Sequence, residues 1–339
     1  MPKGNERVQI AVGLALLGLL CLSFIPGGAA QDAPTTTSHE ELQAPVKSAD
    51  FSHVFIPYQL MPRWSQGHLI SWKRENGPLD TEENVSVYDR TGQLKGKIRI
   101  AVLNSHLMYL DNVVAGPDGR IAAVGSIVDN SGEFDSFVAD ANLATQAVKI
   151  VMLEPFRAHD VTFGPDGTLW IAGYDSEFGN RLSTKDFVVV KHLSVDGKLQ
   201  DSQLVSSSLR CNWYSFAAAE GVLFATKDRI GLLVQNCQQW IELNTDGEVV
   251  GRWHWKGSEA VDMVHNAILT ASDEVYASIQ GAQDLPYRSW MGHLNKKTGE
   301  WEEVTVNPLA AHLGLRGSEE DMLVLGSGEG ELKWAKISK

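Results

Sequence analysis

The chain has 339 residues, 43% of them hydrophobic, and a formal net charge of −13. That apolar content excludes a wholly disordered chain, and the length is large for one compact core, so several units sharing the burial are expected. The acidic balance argues against nucleic acid and against anionic lipid surfaces as partners.

In chain order, Lys3 and Arg7 precede an apolar run over residues 8–25, which ends at Pro26, Gly27, Gly28, Ala29 and Ala30. A basic start, an apolar middle and a small-residue end form the pattern of a secretory signal peptide, and the cut is placed after Ala30. The alternative is an uncleaved anchor, because about 18 apolar residues can just span a bilayer. Bulky Leu20 ahead of Cys21 argues against a lipoprotein cut there. The expected location is secreted or periplasmic; the membrane enters only if the segment stays attached. Cleavage would leave a charge of −14. Residues 31–50, with Pro34, Thr35, Thr36, Thr37 and Pro45, hold too little apolar material to pack and read as a flexible linker. The folded domain is expected over residues 51–339.

Two kinds of turn alternate along that domain. The first is Ala115-Gly116-Pro117-Asp118-Gly119-Arg120-Ile121, repeated as Phe163-Gly164-Pro165-Asp166-Gly167-Thr168-Leu169. Weaker copies lie near Asp228 and Asp273, and degraded ones at Gln66-Gly67 and Glu319-Glu320. The second kind is Tyr88-Asp89-Arg90-Thr91-Gly92, with copies ending at Gly197, Gly247 and Gly299 and a divergent one around Leu143. Asp, Asn and Gly at the tips tolerate the left-handed backbone of tight hairpins, and the flanking segments have strand character with no helical period. The second kind recurs about every 50 residues. Two hairpin turns per such period make four strands, or one propeller blade. The chain therefore predicts an all-β, six-bladed β-propeller with blades near 59–101, 110–152, 159–206, 221–256, 264–306 and 312–339. The last blade lacks a fourth strand. Residues 51–58 are the expected donor, closing the ring with an N-terminal strand and covering an open sheet edge.

Two cysteines remain past the signal segment, Cys211 and Cys237. In an oxidising compartment they are expected to pair, closing a loop worth about 3 kcal/mol in the chain-entropy model; two buried thiols are the alternative.

The phrase Val161-Thr162-Phe163-Gly164-Pro165-Asp166-Gly167-Thr168-Leu169-Trp170-Ile171-Ala172-Gly173 resembles the blades of propellers of the NHL, SMP-30/gluconolactonase and streptogramin-lyase kind. Residues 113–125 carry the same element. The resemblance implies a fold and no particular chemistry, since lactonases, lyases, scaffolds and binding modules share it. It is also similar in blade pattern to peptidylamidoglycolate lyases, which hold zinc on three inner-strand histidines.

In a propeller the innermost strand of each blade lines the axial channel. Counting back six to eight residues from each first-kind turn gives Gln59, Asp111 and Asn112, His159 and Asp160, Glu220, His265 and Asn266, and His312, one polar position per blade. Three imidazoles, His159, His265 and His312, could hold Zn²⁺; oxygen ligands such as Asp111, Asp160 and Glu220 would suit Ca²⁺. A plain wet channel lining is the alternative. Trp253 and Trp255 share a strand face, as a sugar platform or as inter-blade packing. No phosphate loop, nucleophile elbow or Cys-x-x-Cys is present. Two readings follow: an exported module binding a protein or small ligand, and a metal-dependent hydrolase or lyase working in the channel.

Overall fold

The computed structural model describes residues 40–41, 47–50 and 62–336, apart from 155, 176–187, 194–198, 201–203, 206–222, 235–238, 255–262, 281–288, 306–313, 321 and 327–330. Six antiparallel sheets follow one another along the chain and form the blades of a ring.

Blade 1 is Arg63–Ser65, His68–Trp72, Val85–Tyr88 and Leu94–Ile98. Blade 2 is Leu107–Ala115, Arg120–Val128, Phe134–Asn142 and Val148–Met152. Blade 3 is Phe156–Phe163, Leu169–Asp175 and Val188–Leu193, with a divided outer edge of Leu199–Gln200 and Leu204–Val205. Blade 4 is Leu223–Ala225, Ile230–Val234, Gln239–Leu243 and Val249–His254. Blade 5 is Met263–Leu269, Val275–Gln280, Ser289–Asn295 and Glu300–Thr305. Blade 6 is Gly314–Glu319, Met322–Gly326 and Glu331–Lys336, completed by Lys47–Asp50, which pairs antiparallel with Glu331–Lys336.

The closing strand is thus N-terminal, as expected, but it comes from four residues earlier than the segment 51–58, which lies outside the described residues. Its short polar stretch, Lys-Ser-Ala-Asp, suits an outermost strand, which needs backbone partners more than buried side chains. The region read as linker contributes a second strand as well: Glu40–Glu41 runs parallel to the outer strand of blade 5 at Val304 and Thr305.

The outermost strands are the least buried. Ile230–Val234 is buried along its whole length, Val85–Tyr88 alternates, and the outer strand Val249–His254 is mostly exposed. The apolar clusters lie between blades. One joins Ile70 and Trp72 of blade 1 to Val113 and Phe137 of blade 2; another joins Val114 and Val124 to Phe156 and Val161 of blade 3. Trp64 and Trp334 meet edge-on at 5.0 Å where blades 1 and 6 close the ring. Because each blade buries its faces only against its neighbours, 43% hydrophobic residues suffice for a domain of this length.

The turn chemistry follows the sequence pattern. Asp89, Asn244 and Asn295 turn a side-chain oxygen back onto backbone N–H groups of their own turns, and Gly92, Gly247 and Gly299 take φ of 82°, 84° and 76°. A further turn of this kind, at Asp129 and Gly132, joins the second and third strands of blade 2 and had not been singled out in the sequence.

Candidate functional site

In four inner strands the ladder slips by one residue. The slips fall between Leu110 and Asn112, between Ala158 and Asp160, between Val264 and Asn266, and between Leu315 and Gly317. Each leaves one residue as a bulge: Asp111, His159, His265 and Arg316. A bulge re-aims a side chain that a regular strand would point elsewhere. Four blades therefore carry an ionisable residue at the same ladder position of the inner strand. Among the described residues the inner strands of blades 1 and 4 span three residues each and show no such slip.

In blades 2 and 3 a glycine makes room for the slip. Gly125 pairs with Leu110, and a Cβ on it would lie 1.9 Å from the Tyr109 carbonyl oxygen; Gly173 pairs with Ala158, and its Cβ would lie 1.9 Å from that of Arg157. Glycine is required at both by this close backbone approach.

Below the bulges, Asp160 is the hub of the ring and is fully buried. Its Oδ1 accepts hydrogen bonds from Arg63 at 2.6 Å, from Asn112 Nδ2 at 2.6 Å and from the Val161 N–H at 2.8 Å; its Oδ2 accepts from the Leu223 N–H at 2.6 Å. Arg63 donates a second bond to the Leu223 carbonyl at 2.7 Å. One carboxylate thus ties together the inner strands of blades 1 to 4. Asn266 does a similar job between blades 5 and 6, donating to the Leu315 carbonyl at 3.0 Å.

Two cavities meet this layer. The upper one, on the side where the inner strands begin, holds about 40 Å³, room for a few water molecules, and is lined by Asp111, Asn112, Asn266 and Arg316 with Arg63 and Phe224 at its base. The lower one holds about 340 Å³ and opens among the first-kind turns. Arg63 and Phe224 border both, so they form the partition between the two mouths.

A strap from blade 1 crosses the upper mouth. Glu75–Asn76 pairs with Tyr109 and Met108 on the inner edge of blade 2 and brings the Arg74 guanidinium to 3.7 Å from the Asp111 carboxylate. Burial pushes the Asp111 carboxyl up to about 6, with Arg74 opposing only in part. Burial pushes the His159 imidazole down to about 4, so it is neutral at pH 7.

The structure places Asp111, His159 and His265 on the bulges of their inner strands, Asp111 lining the upper cavity, and Asp160 beside His159 in the hub. Glu220, His312, Cys211 and Cys237 lie outside the described residues, so the structure does not address that cysteine pair. The blade-six position is held by Arg316, four residues past His312, and the blade-one position by Arg63, four past Gln59. Both shifts have one cause. Counting back from the turns assumes hairpins like Ala115–Ile121, whereas blades 1 and 6 turn tightly, with Ser65 opposite His68 and Glu319 opposite Met322. Among the described residues no three His, Cys, Asp or Glu side chains are grouped to hold a metal ion. Asp160 has both oxygens engaged by protein donors, a guanidinium among them, and could ligate a cation only if the hub came apart. The arrangement can hydrogen-bond a small polar group, or move a proton through Asp111, at the upper mouth.

No protein-family model matches the chain, and no curated protein matches it. Solved structures do. A Bacteroides fragilis protein named as an exported protein aligns over 91% of this chain and 98% of its own, at 11% identity and a TM-score of 0.51. Streptogramin B lyase aligns over 82% and 93%, at 12% identity and 0.44; the β-propeller domain of the Trilobed protease from Pyrococcus furiosus aligns over 64% and 62%, at 10% identity and 0.41. At these identities the likeness is one of fold, and the fold is a six-bladed β-propeller.

Proposed function

We propose that this propeller is an exported binding module that engages its ligand or partner at the upper mouth of the channel. The polar lining of the upper cavity supports this reading: Asp111, Asn112, Asn266 and Arg316 border it from three blades, Asp111 and Arg316 from bulges that each cost a ladder bond. Export rests on the signal-like pattern of residues 1–30. The reading includes cleavage after Ala30 and a Cys211–Cys237 bridge, both checked by intact mass of the secreted protein before and after reduction.

The test is a photo-crosslinking amino acid in place of Arg74, at the mouth, compared with one in place of Lys149 on an outer strand, both in the native host. Adducts specific to the Arg74 position support the reading; none, or the same ones from both positions, oppose it. The alternative reading is a metal-dependent hydrolase or lyase working in the channel. Zinc or calcium in the purified protein, lost in His159→Ala without unfolding, would make that reading the better one.

A further inference from the structure

The lower mouth is a second, separate site. All six blades contribute to it around their first-kind turns, and Arg63, paired with Asp160, borders it on the axial side. Its volume of about 340 Å³ falls in the range of small-ligand pockets, about 300–1,000 Å³.

Three observations define what fits. The first is charge balance. Arg63, Arg90 and Lys227 line the cup against Glu319 and Glu320, with Asp160 just under the floor. Arg63 is paired with Asp160, and Arg90 with Glu319 across blades 1 and 6, so the cup favours neither an anion nor a cation. The second is where hydrogen-bonding capacity remains. The Ser65 hydroxyl is spent on the Ala115 carbonyl at 2.8 Å and that of Ser318 on the Leu269 carbonyl at 3.3 Å. Gln66, Lys227 and Glu320 are exposed at the rim, and between them they offer donors and acceptors in several directions. The third is the floor, where half-buried Phe224 presents an aromatic side chain.

A neutral ring with many hydroxyls satisfies all three: no net charge, hydroxyls that both give and accept, and an apolar C–H face to lie on an aromatic ring. We propose that the lower cup binds a neutral saccharide of one or two rings, with Phe224 beneath the ring and Gln66, Lys227 and Glu320 sharing its hydroxyls. This site is independent of the upper-mouth reading, and either can fail alone.

The experiment is saturation-transfer NMR and calorimetry on the secreted protein with glucose, galactose, mannose, N-acetylglucosamine, maltose and lactose, and with benzoate and inorganic phosphate as charged probes. At least one sugar is expected to bind saturably. Lys227→Ala and Glu320→Gln, both at exposed positions, should each weaken it by about tenfold, the effect of losing one charged hydrogen bond. Phe224→Leu, which keeps an apolar floor, should weaken it while the protein stays folded by circular dichroism. No binding by any sugar, binding confined to the charged probes, or sugar binding unchanged in all three variants would each overturn the proposal.

Discussion

Asp111 and His159 occupy equivalent bulges of neighbouring blades, and burial shifts them in opposite directions. For Asp111 the folded pKa of about 6 lies above the unfolded value, so the native state holds a proton more tightly and stability falls as pH rises from about 4 to 6. For His159 the folded value of about 4 lies below the unfolded one, so the unfolded state holds the proton more tightly and stability is lost as pH falls below 6.5. The two slopes oppose each other over the same window. Asp111→Asn removes one of them. The variant should be more stable than the parent at pH 7.5, by up to about 2 kcal/mol, and no more stable at pH 4; urea titrations at the two pH values check this. It should also lose stability on acidification more steeply than the parent, because His159 then acts unopposed. The residue types at these positions were legible in the sequence, since polar pairs stand at a fixed count before well-formed turns. The role of Asp160 was not. One residue separates a bulge from the hub beneath it, and which of His159 and Asp160 takes which place depends on a ladder slip that no spacing reveals.

At the scale of the strand, the slips explain residues that the repeat pattern showed without a reason. The phrases that carry the family resemblance end in Gly125 and Gly173, and these two glycines clear the backbone opposite the bulges of blades 2 and 3. Gly173→Ala and Gly125→Ala should each destabilise by about 3 kcal/mol, because a methyl group would meet a carbonyl oxygen and neither backbone can retreat without undoing the bulge. Thermal unfolding measures this. Gly132→Ala is the contrast. Its Cβ would meet nothing within 4 Å, so only the strain of its φ of 86° acts, and the loss should be smaller, about 1 kcal/mol. Hairpin length was the part of the strand pattern that misled. The tight turns of blades 1 and 6 have few signature residues, so counting from them overshoots, whereas the Gly-Pro-Asp-Gly turns of blades 2 and 3 fix the count.

At the scale of the ring, two devices hold the blades together: the strand Lys47–Asp50 at the circumference and the Asp160 hub at the axis. A protein starting at residue 51 would leave Glu331–Lys336 as an open edge, and it should unfold at a lower temperature and self-associate on size-exclusion chromatography, while one starting at residue 38 should match the parent. The blade count was legible because the period of about 50 residues survives even in degraded turns. The position of the closing strand was not, since an outermost strand buries little and leaves no apolar pattern. The hub bears most directly on how the ring works, because one carboxylate ties four blades together between the two cavities. The decisive measurement is a double-mutant cycle by urea unfolding on Arg63→Met, Asp160→Ala and the pair. Each single change should cost about 3–5 kcal/mol by leaving a buried charge or its donors uncompensated, and the double should cost no more than the worse single, a coupling of at least about 3 kcal/mol. Additive losses, or single losses below about 1 kcal/mol, would contradict a charged hub at the centre of this ring.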